Sequence, residues 1–357
     1  MDPLDTRICT LFGIRYPIVQ TGMGWVAGPR LTAATSAAGG LGILASATMT
    51  LEELESAIAD VKARTDANFG VNLRADQADA KARVELLIRE GVRVASFATA
   101  PSRDLIARLK DAGVKTMPTI GAKRHAEKVA EWGVDAVIAQ GHEGGGHTGD
   151  VPTSILLPQV CRTVDIPVLG AGGFSCGRGL VSALALGASG IAMGTRFLMT
   201  RESTVPESVK QLYQATSLNG TVVTRAVDGH PQRVVRTQLV ERLESAGPLV
   251  RLLRATGNAL RFRALTGLSL GALLTEGLAM RRAQGLTWAQ VLMAANAPMM
   301  TRACLVDGRT DVGVLPTGQV AGALDDLPAV AEVLESIMAE ARETLKRLGA
   351  GPSSESK

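Results

Sequence analysis

The sequence predicts an α/β protein built as a (β/α)8 TIM barrel with a smaller inserted α+β lobe. Three observations predict it. Eight short apolar runs recur along the chain, helix-like segments separate them, and Gly-rich turns follow the first, sixth, seventh and eighth runs. The runs occupy residues 17–20, 42–45, 69–73, 93–98, 115–120, 135–140, 167–170 and 190–194. Most are continuous rather than alternating, as expected of parallel strands covered on both faces. An open doubly wound sheet uses the same units. The barrel is preferred because it places all four Gly-rich turns on the one carboxyl-end face where ligands bind, whereas a Rossmann sheet concentrates its phosphate fingerprint after one early strand.

The intervening segments carry helix ends. Thr50 and Glu53 form a capping box ahead of Leu51, Leu54, Ile58 and Val61, which share one helix face. Ser102 precedes Leu105, Ile106 and Leu109. Glu90-Gly91-Val92, Ala112-Gly113-Val114, Trp132-Gly133-Val134 and Leu186-Gly187-Ala188 each read as a helix stop with Gly in the left-handed region before the next strand.

After Thr195 the rhythm breaks. Thr221–Thr224, a turn at Asp228-Gly229-His230 and Val234-Val235 read as a hairpin, followed by Arg-rich helical stretches. The expected organisation is a barrel from residues 1–204 and 312–350, a second substrate-side lobe over 205–311 and a disordered tail over 351–357. The chain returns through Gly318-Gln319-Val320-Ala321-Gly322 to an amphipathic helix over about residues 328–348.

Composition narrows the function classes. Aromatics make up 3% of the chain, too few for the stacking platforms of single-stranded nucleic-acid binders, and a net charge of +4 does not imply nucleic acid. Cys9, Cys161, Cys176 and Cys304 have neither metal-ligand nor disulfide-framework spacing, and read as reduced thiols. The N-terminus lacks a signal-peptide layout and no apolar run is long enough for a membrane span, so a cytoplasmic protein is expected. No spacing suggests a metal site.

The strongest local signal is Gln140-Gly141-His142-Glu143-Gly144-Gly145-Gly146-His147-Thr148-Gly149, directly after the sixth run. Consecutive glycines let backbone approach a flat or anionic ligand, and His147 sits among them as the candidate acid/base. The bland alternative is a tight turn with a partly exposed His. Matches to G-x-G-x-x-G through Gly144, Gly146 and Gly149, and loosely through Gly22, Gly24 and Ala27, are weak and lack an acidic partner downstream. The second signal is a pair of turns, Gly170-Ala171-Gly172-Gly173-Phe174 and Met193-Gly194-Thr195-Arg196. Barrels that bind phosphorylated ligands hold the phosphate on the turns after the seventh and eighth strands.

Thr21-Gly22-Met23-Gly24, Val71-Asn72, Glu143 to Gly149, Gly172-Gly173 and Gly194-Thr195 together resemble the nitronate monooxygenase (2-nitropropane dioxygenase-like) family over nearly the whole chain. That group also contains flavin-dependent enoyl and quinone reductases. The resemblance implies a flavoprotein oxidoreductase with non-covalent FMN. Met23 and Gly24 would lie against the flavin ring, Asn72 and Gln140 would hydrogen-bond it, and Gly145 would approach the ribityl chain or ring. Gly172, Gly173, Gly194 and Thr195 would bind the phosphate, Gln319 would reach the flavin from the return segment, and His147 would be catalytic. Many nitronate-oxidising members carry Ala-Pro-Met at Thr21-Gly22-Met23 and Ala at Gly144. Gln20 to Trp25, Thr221 to Thr224 and Val227-Asp228-Gly229 look closer to actinobacterial members of steroid ring-C/D catabolism. That likeness implies dehydrogenation, or the reverse reduction, of an activated C–C bond in a hydrindane CoA thioester. A nitronate monooxygenase and a non-catalytic phosphometabolite-binding barrel stay as alternatives, and the oligomeric state stays open, a homo-oligomer included.

Between residues 225 and 263, eight arginines (Arg225, Arg233, Arg236, Arg242, Arg251, Arg254, Arg261 and Arg263) stand against Asp228, Glu241 and Glu244. Such a cluster suits an anionic, CoA-like substrate, with a solvated basic face as the alternative. His125 reads as solvent-facing and His142 as undecided. His230 reads as a turn residue at most bordering the substrate site.

Overall fold

Eight parallel strands close into a barrel in the computed structural model, which describes residues 2–98, 101–245 and 288–349. Its staves are β1 (Ile18–Gln20), β2 (Leu41–Ala45), β3 (Phe69–Leu73), β4 (Val94–Phe97), β5 (Lys115–Ile120), β6 (Val137–Gln140), β8 (Val168–Ala171) and β9 (Gly190–Met193). Closure comes from β9 lying beside β1, with Ile191 opposite Ile18 and Met193 opposite Gln20.

Alternate strand residues fill the two sides. Val19, Leu41, Ile43, Met117, Ile138, Leu169 and Ala192 form the interior cluster, which Ile8 and Phe12 of the Arg7–Phe12 helix plug. That helix sits at the amino ends of the strands, where the Thr6 hydroxyl donates to the Ser189 carbonyl just before β9. The opposite, carboxyl-end rim is left for ligands.

The punctuation explains the turns. Gly91, Gly113, Gly133 and Gly187 have φ of +64°, +77°, +82° and +95°, the left-handed values at which Gly alone avoids strain. The Leu51–Arg64 helix opens with a reciprocal cap: Thr50 Oγ1 accepts the Glu53 N–H at 3.1 Å and Glu53 Oε2 accepts the Thr50 N–H at 2.7 Å. Thr50→Ala is expected to cost about 1 kcal/mol in denaturant unfolding with no change in turnover.

One boundary moves. The sixth run begins at Asp135 but β6 starts at Val137, because the Asp135 carboxylate accepts from the Thr116 N–H at 2.9 Å and from Lys115 Nζ at 3.0 Å. Asp135 therefore ties the strand entry to β5 instead of extending the ladder.

A second sheet stands over the rim. The hairpin β10 (Thr221–Thr224) and β11 (Gln232–Val235) pairs antiparallel with β7 (Gly146–His147), so the end of the Gly-rich segment is a short strand rather than only a turn. Beyond β7 the same edge of β11 is continued by the returning chain, through a bridge between Val234 and Pro316 and the Val235 N–H donating to the Leu315 carbonyl. The closing helix Val330–Gly349 packs on the helices Gly177–Ala185 and Pro29–Ala37. All four cysteines are unpaired thiols, and no helix among the described residues is long and apolar enough to cross a membrane. The tail at 351–357 lies outside the described residues.

Candidate active site

β6 delivers Gln140 to the rim, and the chain from Gly141 to Gly149 folds back over it. The Gly141 N–H donates to Ala171 at the end of β8, and Gln140 Nε2 donates to the His147 carbonyl at 2.7 Å. Within this loop His142 Nδ1 donates to the Gly149 carbonyl at 2.8 Å, so His142 braces the loop itself. Glu143 acts structurally as well: its Oε2 accepts from the backbone N–H and the hydroxyl of Thr153, the first residue of the Thr153–Cys161 helix.

The returning chain crosses directly over Gly145. A Cβ there would lie 2.4 Å from the Thr317 carbonyl carbon and 2.5 Å from the Gly318 nitrogen. This close approach lets the Gln319 N–H donate to the Glu143 carbonyl at 2.9 Å, and the Gly318 N–H to Thr195 Oγ1 at 2.9 Å.

The remaining rim residues meet in sequence. Gly22 presses on Asn72, where a Cβ would come within 2.3 Å of the Asn72 Cβ. Asn72 in turn donates through Nδ2 to Ser96 Oγ at 3.2 Å. The Met23 sulfur lies 3.2 Å from the Cβ position of Gly194, and the Cβ position of Gly172 is 2.9 Å from the Gly144 nitrogen. Met23, Gly24, Asn72, Gln140, Gly145, Gly172, Gly173, Gly194, Thr195 and Gln319 thus come from six segments that converge on one end of the barrel.

Two features of this rim suit an anion. Gly172 and Gly173 both have positive φ, +95° and +83°, a backbone that turns successive N–H groups outward. Among the described residues the N–H groups of Gly173, Gly194 and Thr195 have no backbone acceptor, while the strand register turns the Gly172 N–H toward the Ala192 carbonyl. The Cβ position of Gly173 has only the Glu143 side chain nearby, at 3.8 Å. The donor set and the space beside it fit the phosphate of a mononucleotide.

His147 stands at the edge of this group, its side chain 66% exposed. Nε2 lies 2.6 Å from Oδ2 of Asp228, a carboxylate to which the sequence alone gives no role in the site. Oδ1 of Asp228 accepts the His230 N–H at 3.0 Å, and the His147 and His230 rings are edge to face with centroids 6.1 Å apart. His230 therefore does border the candidate site. The available signal was the Asp-x-His spacing of an Asx-type turn, in which the carboxylate takes the N–H two residues on.

Burial pushes the Asp228 pKa up, but the His147 hydrogen bond and charge, the His230 N–H and the His230 charge together hold it below the ordinary 3.8. A depressed carboxylate stabilises the fold fully above its unfolded value, and that contribution is lost as pH falls through the lower native value. The wild type should therefore lose more stability than Asp228→Asn on acidification through and below about pH 4, read by urea unfolding at each pH.

Arg233 corrects part of the basic-cluster expectation. It is buried, with Nε and Nη2 donating to the His142 carbonyl at 3.2 and 3.0 Å and Nη1 donating to Thr221 Oγ1 at 2.9 Å. It clamps the second sheet onto the Gly-rich loop and is not free for substrate. Arg225, Arg236 and Arg242 are exposed, whereas Arg251, Arg254, Arg261 and Arg263 lie outside the described residues. Gln232, the register partner of His147, is buried with Nε2 unpaired among the described residues. His125 is exposed on the Lys123–Glu131 helix.

The sequence profile of nitronate monooxygenase matches residues 5–83 and 78–340. The chain belongs to the nitronate monooxygenase family. It is accordingly an oxidoreductase, and the non-catalytic reading falls away. It is 58% identical over 350 residues, 98% of this chain and 99% of the relative, to the (3aS,4S,5R,7aS)-5-hydroxy-7a-methyl-1-oxo-octahydro-1H-indene-4-carboxyl-CoA dehydrogenase of Rhodococcus jostii. The Mycobacterium tuberculosis protein of the same name is 60% identical over 341 residues, 95% of this chain and 96% of the relative. Among solved structures, FabK from Thermotoga maritima is similar at TM-score 0.79 and 34% identity, covering 97% of this chain and 98% of that one. The nitroalkane oxidase of Streptomyces ansochromogenes superposes at TM-score 0.74 with 28% identity, over 96% of this chain and 99% of that one.

Proposed function

We propose that this protein is an FMN-dependent dehydrogenase acting on an activated C–C bond of a bicyclic CoA thioester in steroid ring-C/D degradation, with His147 as the acid/base. The observation that carries the reading is the near full-length likeness to the two hydroxy-oxo-indene-carboxyl-CoA dehydrogenases, joined to an imidazole beside a rim of unpaired backbone donors.

The phosphate of FMN would rest on Gly172, Gly173, Gly194 and Thr195. Met23, Gly24, Asn72, Gln140, Gly145 and Gln319 would line the remainder of the cofactor site. Bound FMN supplies a two-electron acceptor for the hydride that leaves the substrate. His147 takes the proton from the carbon next to the thioester carbonyl, which that carbonyl acidifies. The C–H electron pair it releases becomes the new C–C π bond as the neighbouring carbon gives up its hydride. A neutral imidazole has one bare ring nitrogen and one N–H, and can therefore accept a proton and return it. Exposed Arg225, just after β10, and exposed Arg236, just after β11, suit the polyphosphate of CoA.

We assign residues 205–311 to the substrate side and residues 1–204 with 312–350 to the cofactor-binding barrel. Four unpaired thiols suit a reducing, cytoplasmic setting.

A second reading, oxidation of an alkyl nitronate by O2, is favoured by the family profile itself. Comparing kcat/KM for the two substrate classes with an oxygen electrode separates them. A higher value for the CoA thioester, with little oxygen consumed on adding a nitronate, is expected. Rapid nitronate-driven oxygen uptake with no thioester turnover would replace the first reading by the second.

A further inference from the structure

The fold treats the two ring nitrogens of His147 differently. Nε2 is 2.6 Å from a carboxylate oxygen of Asp228, whose side chain is 8% exposed, while the His147 side chain is 66% exposed. That carboxylate is held on its own account. Asp228 sits at the head of a turn through Gly229, whose φ is +88°, and its second oxygen is taken by the His230 N–H. An ionised carboxylate only accepts hydrogen bonds. A neutral ring in contact with it must therefore carry its proton on Nε2 and leave Nδ1 bare.

We propose that Asp228 is a positioning residue for the reaction: it holds His147 as the Nε2–H tautomer and so makes Nδ1 the nitrogen that takes the substrate proton. This rests on the reading of His147 as the acid/base.

The proton balance follows. Nδ1 gains the proton from the substrate carbon, the electron pair stays with the substrate, and the ring becomes an imidazolium. Its positive charge is matched by the Asp228 carboxylate across the Nε2–H contact. The proton then leaves to solvent from the exposed side of the ring.

The amide of Asp228→Asn occupies the same volume but offers a single acceptor oxygen to two donors. With that oxygen kept by the His230 N–H, the amide NH2 faces Nε2 and can be satisfied only if the ring proton moves to Nδ1. The base nitrogen is then blocked. In the serine-protease triad the corresponding Asp-to-Asn change costs about 10,000-fold in kcat through the same tautomer reversal.

The test is a nitrogen NMR spectrum of protein labelled at histidine, taken with the rings neutral, in which His147→Ala identifies the His147 signals. The wild type should show a protonated Nε2 and a bare Nδ1, and Asp228→Asn should reverse the two. The Asn variant should retain FMN and KM, lose about 100-fold or more in kcat, and show its pH–rate profile displaced to lower pH. Asp228→Glu should restore part of the rate. A protonated Nδ1 in the wild type overturns the proposal, and that spectrum decides the matter even if the Asn variant does not fold. Wild-type kcat in Asp228→Asn overturns it as well. Unchanged turnover in His147→Ala instead removes the acid/base reading, and the positioning role with it.

Discussion

His147→Ala is expected to retain FMN and lose about 100- to 10,000-fold in kcat, the span over which a positioned general acid/base contributes. Among the described residues the side chain makes one hydrogen bond, to Asp228, and it is largely exposed, so its removal takes little packing from the fold. Its backbone carbonyl, which accepts from Gln140, is untouched by the change. The visible absorbance of the bound flavin and the thermal midpoint should therefore stay near wild type while steady-state turnover collapses. The truncation also leaves the Asp228 carboxylate without the imidazole that helps hold its pKa down, so the variant should lose less stability than wild type on acidification. Turnover near wild type, with flavin bound, would take His147 out of the chemistry.

Gly145→Ala is the largest effect expected on cofactor retention. The methyl would fall 2.4 and 2.5 Å from two backbone atoms of the returning chain, neither of which can rotate away. Either the Gly-rich loop or the Thr317–Gly318 crossing must shift, and both carry contacts that join the two. The Gln319 N–H to Glu143 bond and the Gly318 N–H to Thr195 bond are the first to be lost. Overpacking of this kind costs roughly 1–3 kcal/mol. Relief of that strain by displacing the crossing from the cofactor rim is expected to weaken FMN binding by about 5- to 150-fold. Fluorescence titration of FMN onto stripped protein measures it. An FMN affinity equal to wild type would show that the crossing plays no part in holding the cofactor.

What was legible in the sequence follows from how local each signal is. The eight strands, the Thr50–Glu53 box and the glycine stops depend on residues within a few positions of one another, and periodicity reads those directly. The same holds for the hairpin at Thr221–Val235, because its two strands and turn are contiguous. The pairing of His147 with Asp228 spans 81 residues and depends on β11 reaching over the rim to β7. No local pattern encodes such a contact, so Asp228 was read as a turn former and His230 as incidental. Arg233 was misread for a related reason: a charge count sees an arginine, whereas the fold buries it against the His142 carbonyl. Asp135 reads as strand because an apolar run gives no sign that the residue ahead of it ties back to Thr116.

The Gly-rich loop and the turns at Gly172-Gly173 and Gly194-Thr195 are legible from their place after strands, whereas Met23, Gly24, Asn72 and Gln319 come from resemblance alone, and the structure shows why they can act together. Gly22 against Asn72, Gly172 against Gly144 and Gly145 against Thr317 are all approaches that leave no room for a Cβ. Glycine at these points is a requirement for bringing the loops together, not merely a mark of a turn.

The most direct measurement is a single-turnover experiment. FMN-loaded protein is mixed without oxygen with the bicyclic hydroxy-acyl-CoA thioester, and the flavin absorbance is followed in wild type and His147→Ala. Rapid bleaching in the wild type, slowed in parallel with steady-state kcat in the variant, is the expected result. A flavin that keeps its colour with the thioester, in a protein that turns over a nitronate with uptake of oxygen, would contradict the account.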